Sequence, residues 1–139
     1  MKQIPLFIWK YLGNDRNWSG FHLTGEPDAF KHVISELSKP QHPDKRKVRL
    51  EAELSEATKK ELAVPNSRSK AISFRRVHFQ LLLRETSIFE VSENNLDVSI
   101  SFSADMFTEL VRGFDDIASG RGDYCIGDEN NSLWFWWKV

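Results

Sequence analysis

The run Leu-Trp-Phe-Trp-Trp at positions 133–137 is the feature that most limits how this chain can fold. Successive side chains of a strand point to opposite faces, so Trp134 and Trp136 share one face and their neighbours share the other. Each large ring buries roughly 150 to 250 Å² when it leaves water. A strand with this sequence must therefore be covered on both sides.

Residues 5–12, Pro-Leu-Phe-Ile-Trp-Lys-Tyr-Leu, have the same two-sided character. In a strand, Phe7 and Trp9 point to one face, whereas Leu6 and Ile8 point to the other. A turn-forming Gly-Asn-Asp cluster follows and favours a strand over a helix. We expect this strand to be a neighbour of the aromatic strand at 133–137.

Further periodicities predict two helices and several more strands. Helical spacing follows Pro27, and it follows Ser103 again as far as Gly120. Residues 45–54 alternate between apolar and charged side chains, which predicts a half-buried antiparallel strand. Other strands are expected at 21–24, 71–83, 88–91, 96–102 and 123–126. The strand at 71–83 is expected to contain a bulge near Arg75 and Arg76, and a short helical turn is expected after Thr58.

Helices separated by runs of strands predict the α+β class, with one mostly antiparallel sheet of about six strands and two main helices packed on one face. The length of 139 residues fits a single domain, 1–139. Cys125 is the only cysteine, so the sequence predicts a reducing compartment, the cytoplasm. No apolar run approaches the eighteen residues of a membrane span, and no membrane association is expected.

The motifs in the sequence predict no catalytic residue, cofactor or metal ligand. The four histidines form no HExxH pair, and the seven glycines form no phosphate-binding loop. Cys125, between two large neighbours in a strand, is expected to be a small core residue. The alternative is a small enzyme with a pocket site built from scattered histidines and carboxylates, and a deep cleft lined by two or more of His22, His78, Asp123 and Glu129 would favour it.

Charge is unevenly distributed along the chain. Residues 1–84 hold 16 Lys and Arg against 9 Asp and Glu, whereas residues 85–139 hold 3 against 11. The basic residues share their surface with acidic ones such as Glu51 and Glu53, which would weaken attraction to a phosphate backbone. Nucleic acid is therefore not predicted as a partner.

The second aromatic face is the candidate functional surface. Helices on one side of a sheet cover only one face of each strand, and a contiguous aromatic patch typically marks an interface. Trp134, Trp136, Trp9 and Phe7 are the predicted interface residues. A homodimer is the simplest cover; the alternatives are another protein, a ligand, or a loop such as 13–20.

The segment Ser103–Val139 contains an amphipathic helix, then Gly-Arg-Gly-Asp-Tyr-Cys-Ile-Gly and Leu-Trp-Phe-Trp-Trp. This ending resembles that of small uncharacterised bacterial proteins, some of which are encoded near toxins and act as immunity partners. The resemblance covers about a quarter of the chain and assigns no role to any residue. The lack of a catalytic motif, the aromatic C-terminal strand and the charge asymmetry predict a non-enzymatic protein-binding module of a bacterium, with the immunity-type neutralisation seen among such proteins as one version.

Overall fold

The computed structural model describes residues 2–12, 20–39, 46–62, 70–120, 124–127 and 132–136. Within these ranges the chain forms ten strands and three helices. The strands are β1 (Gln3–Ile4), β2 (Leu6–Tyr11), β3 (Phe21–Gly25), β4 (Lys47–Leu54), β5 (Ala71–Ser73), β6 (Arg76–Leu82), β7 (Phe89–Asn94), β8 (Asp97–Ser103), β9 (Tyr124–Ile126) and β10 (Leu133–Phe135). The helices are α1 (Pro27–Leu37), α2 (Lys59–Leu62) and α3 (Ala104–Ala118).

The strands form two mixed sheets of five strands each. Sheet A has the order β1-β4-β6-β8-β7, and sheet B has the order β5-β2-β3-β10-β9. Three neighbouring pairs are parallel, namely β1 with β4, β6 with β8, and β3 with β10. The α+β class is thus confirmed. The expected single sheet of about six strands is instead two sheets of five, and five of the eight neighbouring pairs among the described strands are antiparallel.

At two places the chain passes directly from one sheet to the other, with only one or two residues between the strands, which explains the difference. Pro5 separates β1 in sheet A from β2 in sheet B. Proline has no backbone N–H and cannot donate a hydrogen bond to a neighbouring strand, so it suits this break between two strands. Phe74 and Arg75 separate β5 in sheet B from β6 in sheet A. The change of phase that predicted a bulge in one long strand at 71–83 is this passage between sheets.

The main hydrophobic core lies between the inner faces of the two sheets. Alternate residues of β2, β3 and β10 supply one side, and alternate residues of β4, β6 and β8 supply the other. Helices α1 and α3 fill the space with Phe30, Val33, Leu110 and Phe114. Strand β2 is buried on both faces, as its sequence predicts.

The two long helices begin and end close to their predicted limits. Helix α1 starts at Pro27, and α3 follows the extended residue Ser103. Gly120, just beyond α3, has a φ of 74°, the left-handed conformation that glycine tolerates best. No helix in the described ranges is long and apolar enough to cross a membrane.

The start of α3 is tied to the preceding hairpin through Asp105. The Ser103 hydroxyl donates to the Asp105 carboxylate, which also accepts the Ser87 backbone N–H at 3.0 Å. The Ser103 oxygen accepts the Ile88 N–H at 2.9 Å. The hydrogen bond from Ser103, followed by that from the Ser87 backbone, lowers the pKa of Asp105 from 3.8 to about 2.

Asp105→Asn should flatten the acid dependence of stability. Because the pKa of Asp105 is lower in the folded state, its stabilising effect is complete above the unfolded value near 3.8 and is lost as the pH falls towards about 2. Melting temperatures of the wild type and the variant should converge over this acid range. Asp28→Asn, in the first turn of α1, is the control for removing one carboxylate from the start of a long helix.

Gly113→Ala should destabilise the fold even though alanine favours helices. A Cβ at Gly113 would lie 2.7 Å from the Phe135 ring, where α3 meets β10. Overpacking costs about 1–3 kcal/mol, whereas the gain in helix propensity returns at most about 1 kcal/mol. Chemical denaturation would measure the difference. The exposed Thr108→Ala in the same helix should be neutral or stabilising, and a Gly113→Ala protein at least as stable as the wild type would contradict the packing described.

Candidate functional site

The four predicted interface residues lie on the outer face of sheet B, the face turned away from the main core. Phe7 and Trp9 come from β2, whereas Trp134 belongs to β10 and Trp136 follows it. The expected direct contact between these strands is wrong, because β3 lies between β2 and β10. His22 of β3 is the residue aligned with both Trp9 and Trp134.

His22 lies at the centre of this aromatic face and is fully buried. The Trp136 indole N–H donates to His22 Nδ1 at 2.9 Å. An imidazole nitrogen that accepts a hydrogen bond carries no proton, so the proton of a neutral His22 is on Nε2. The rings of Trp9 and Trp136 are both stacked on His22, with centroids at 5.8 and 6.1 Å, and the Tyr11 ring meets it edge-on at 4.9 Å.

The backbone of Trp136 is also fixed. Its N–H donates to the carbonyl of Leu23 at 2.8 Å, and its carbonyl accepts the Thr24 hydroxyl at 2.6 Å. Three hydrogen bonds with β3 thus hold one tryptophan. Trp9 differs, since its buried indole N–H has no hydrogen-bond partner among the residues that the structure describes.

A segment of this chain covers the β2 side of the aromatic face. Ala57 and Leu62 pack against the cluster of Phe7, Trp9 and Tyr11. The cover is held by hydrogen bonds, from the Ala57 N–H to the Ser73 hydroxyl at 2.9 Å and from the Tyr11 hydroxyl to the Leu62 carbonyl at 3.1 Å. The loop at 13–20, named as a possible cover, lies outside the described residues except for Gly20.

Three of the predicted interface residues are therefore buried within a single chain. Trp9 is 0% exposed, Trp136 7% and Phe7 8%. Burial to this degree leaves little of their surface for a partner in this conformation. Trp134 is only partly buried, and its ring is stacked on that of Trp136 with centroids 5.9 Å apart and planes at 14°.

Cys125 of β9 lies opposite Trp134 in the register of sheet B. The prediction of a small core residue is wrong, because Cys125 is exposed. The neighbouring atoms still shield the thiol enough to raise its pKa above the ordinary value. A raised thiol pKa lowers the fraction of the thiolate, which is the nucleophilic form of a cysteine.

The residues named for an enzymatic cleft are dispersed where they can be placed. His22 is on the outer face of sheet B, and His78 is on the outer face of sheet A, with the main core between them. Asp123 and Glu129 lie outside the described residues. Among the residues that the structure describes, no three His, Cys, Asp or Glu side chains are grouped as a metal site requires.

Sequence patterns did not place His22 and Thr24 in the aromatic face. The signal was present, because Phe21-His22-Leu23-Thr24 alternates and its polar members fall on one side of a strand. A short strand with histidine and threonine on one face normally exposes that face to water. Only the position of β3 between two aromatic strands reverses this expectation.

No family model, curated protein or solved structure matches the chain. The function of the aromatic face must therefore be inferred from its geometry.

Trp136→Phe should destabilise the fold more than Trp9→Phe. Both changes remove the same atoms from a buried indole. Only the Trp136 N–H donates a hydrogen bond within the described residues, so only Trp136→Phe removes the donor from His22 Nδ1. An unsatisfied buried acceptor costs about 1–3 kcal/mol, which sets the expected difference between the variants. Urea denaturation of both proteins measures it directly. Equal losses of stability would show that the hydrogen bond to His22 contributes nothing to the fold.

Proposed function

We propose that this chain is a non-enzymatic protein-binding module that contacts its partner at Trp134. The proposal rests on the partial exposure of the Trp134 side chain, whose ring is stacked on the buried Trp136. Tryptophan is strongly enriched among the residues that dominate binding energy in protein interfaces. Among the described residues of the aromatic face, Trp134 is the large aromatic side chain whose surface a partner could still cover.

The rigidity of the ring beneath Trp134 supports this assignment. Trp136 is held by three hydrogen bonds with β3 and by stacking on His22. An anchor on a fixed support loses less conformational freedom when a partner binds, and less of the interaction energy is spent on ordering. Trp134 is therefore pre-organised for binding.

Immunity-type neutralisation of a bacterial toxin is the concrete version of this function that the resemblance of Ser103–Val139 suggests. In that version Trp134 and its surroundings would bind the toxin and block its action. The alternative of a small enzyme with a pocket of scattered histidines and carboxylates has less support. His22 uses Nδ1 to accept the Trp136 N–H, and His78 is on the other sheet.

Trp134→Ala should abolish the capture of the partner that the wild type binds. Immobilised wild type, Trp134→Ala and Leu12→Ala would be exposed to extract of the source organism, with the product of the neighbouring gene tested as a purified protein. Leu12 is the matched control, because it is an exposed apolar side chain that does not belong to the aromatic cluster. Loss of a central tryptophan typically costs about 2 kcal/mol or more, which is about a thirtyfold change in affinity.

Melting curves would establish that both variants remain folded. A partner retained equally by the wild type and Trp134→Ala would rule out Trp134 as the anchor. If neither extract nor neighbouring gene product contains a protein that the wild type retains, the binding-module function itself is contradicted.

A further inference from the structure

The outer face of sheet A is a second surface that the described helices leave open. Its side chains alternate with those of the main core, so they come from odd positions of β4 and β8 and from even positions of β6 and β7. We call this surface the polar face. Its members are Lys47, Arg49, Glu51, Glu53, Arg76, His78, Gln80, Leu82, Asp97, Ser99, Ser101, Glu90, Ser92 and Asn94, of which only Leu82 is apolar.

The charges of β4 are ordered along the strand. Lys47 and Arg49 occupy its first half, and Glu51 and Glu53 occupy its second half, all exposed on the polar face. Like signs are therefore neighbours within the strand. The pattern of two positive charges followed by two negative ones becomes its own complement when the strand is turned end to end.

We propose that the polar face binds a second copy of this chain. A two-fold axis that lies in the plane of contact and runs across the strands would place β4 of one copy antiparallel over β4 of the other. Arg49 would then face Glu51 of the second copy, and Lys47 would face Glu53 of the second copy. By symmetry each contact occurs twice, so the interface is isologous and contains four pairs of opposite charge.

The remaining strands are compatible with the same arrangement. The register of sheet A places His78 beside Glu51 and Gln80 beside Arg49, so the axis brings His78 over Gln80 of the second copy. The same operation brings Ser99 over Ser101 of the second copy, since these residues align with His78 and Gln80. No facing pair along these rows has two charges of the same sign, which is the condition a self-complementary surface must meet.

The charges that this arrangement uses are available. Lys47, Arg49 and Glu53 form no ion pair within the described part of the chain. Glu51 lies 3.0 Å from His78 Nδ1, and Asp97 lies 3.7 Å from His78 Nε2. Glu51 is about half exposed and can contact a cation of a second copy while it stays beside His78.

The size of the polar face sets the strength of the contact. Four strands about 4.8 Å apart and seven residues long, at about 3.3 Å per residue, cover a footprint of about 400 Å². This is below the roughly 800 Å² per partner of a standard stable interface. The polar face is thus suited to a weak dimer that forms at high protein concentration and dissociates as salt screens its charges.

A dimer through the polar face does not depend on the proposed function, because it uses the opposite sheet from Trp134. It also differs from the homodimer expected from the sequence, which was to cover the aromatic face. That face is covered on its β2 side by Ala57 and Leu62 of the same chain. A dimer through sheet A would leave Trp134 free for another protein.

Sedimentation equilibrium of four proteins tests the inference at about 0.1 M and about 1 M salt, over which the Debye length falls from about 10 to about 3 Å. The wild type should associate to dimers at the lower salt and less at the higher. Arg49→Glu and Glu51→Arg should each weaken the dimer by about tenfold or more, because each places like charges opposite one another. Lys31→Glu on the exposed side of α1 reverses a charge away from the polar face and should behave as the wild type.

The decisive sample is an equimolar mixture of Arg49→Glu and Glu51→Arg. In the mixed dimer the glutamate introduced into one copy faces the arginine introduced into the other, and the native Glu51 of the first copy faces the native Arg49 of the second. Association should therefore return to about the wild-type level. A wild type that stays monomeric at both salts overturns the inference, and so does a mixture that associates no better than its components. Neither result bears on partner binding at Trp134, which the capture experiment measures separately.

Discussion

Sheet B must be buried on both of its faces, and the rest of the structure depends on meeting this constraint. Its inner face forms the main core together with sheet A, α1 and α3. Its outer face has Phe7, Trp9 and Trp136, which α1 and α3 cannot cover because they pack on the inner side. A separate cover is therefore required, and the segment with Ala57 and Leu62 supplies it for the β2 side.

The aromatic face has a polar side chain, His22, at its centre. A histidine placed among three aromatic rings would be costly to bury without a partner, and the Trp136 indole provides that partner. The same hydrogen bond fixes the ring on which Trp134 is stacked. Stability and recognition are thus linked at this position, because the groups that satisfy His22 also set the orientation of the exposed tryptophan.

The two outer faces of the molecule differ in chemistry because they differ in cover. Sheet B has large apolar rings on its outer face, and little of that area remains open. On the outer face of sheet A, apart from the partly buried Leu82, the described side chains are polar or charged, so sheet A is stable in water without a further cover. A surface of this second kind can associate only through matched charges and hydrogen bonds, which makes such contacts reversible and dependent on salt.

The sequence alone determined the local structure and the sidedness of each element. Proline at position 27 and serine at position 103 marked the helix starts, and alternation placed Phe7 with Trp9 and Trp134 with Trp136. The sequence did not determine which strands are neighbours. The alternation of side chains along a strand is the same whichever strand pairs with it, and the parallel pairs join segments that are far apart in the chain. The division into two sheets, the insertion of β3 between the aromatic strands and the burial of His22 were decided only by tertiary structure, where the requirement to cover every apolar face is met by long-range packing.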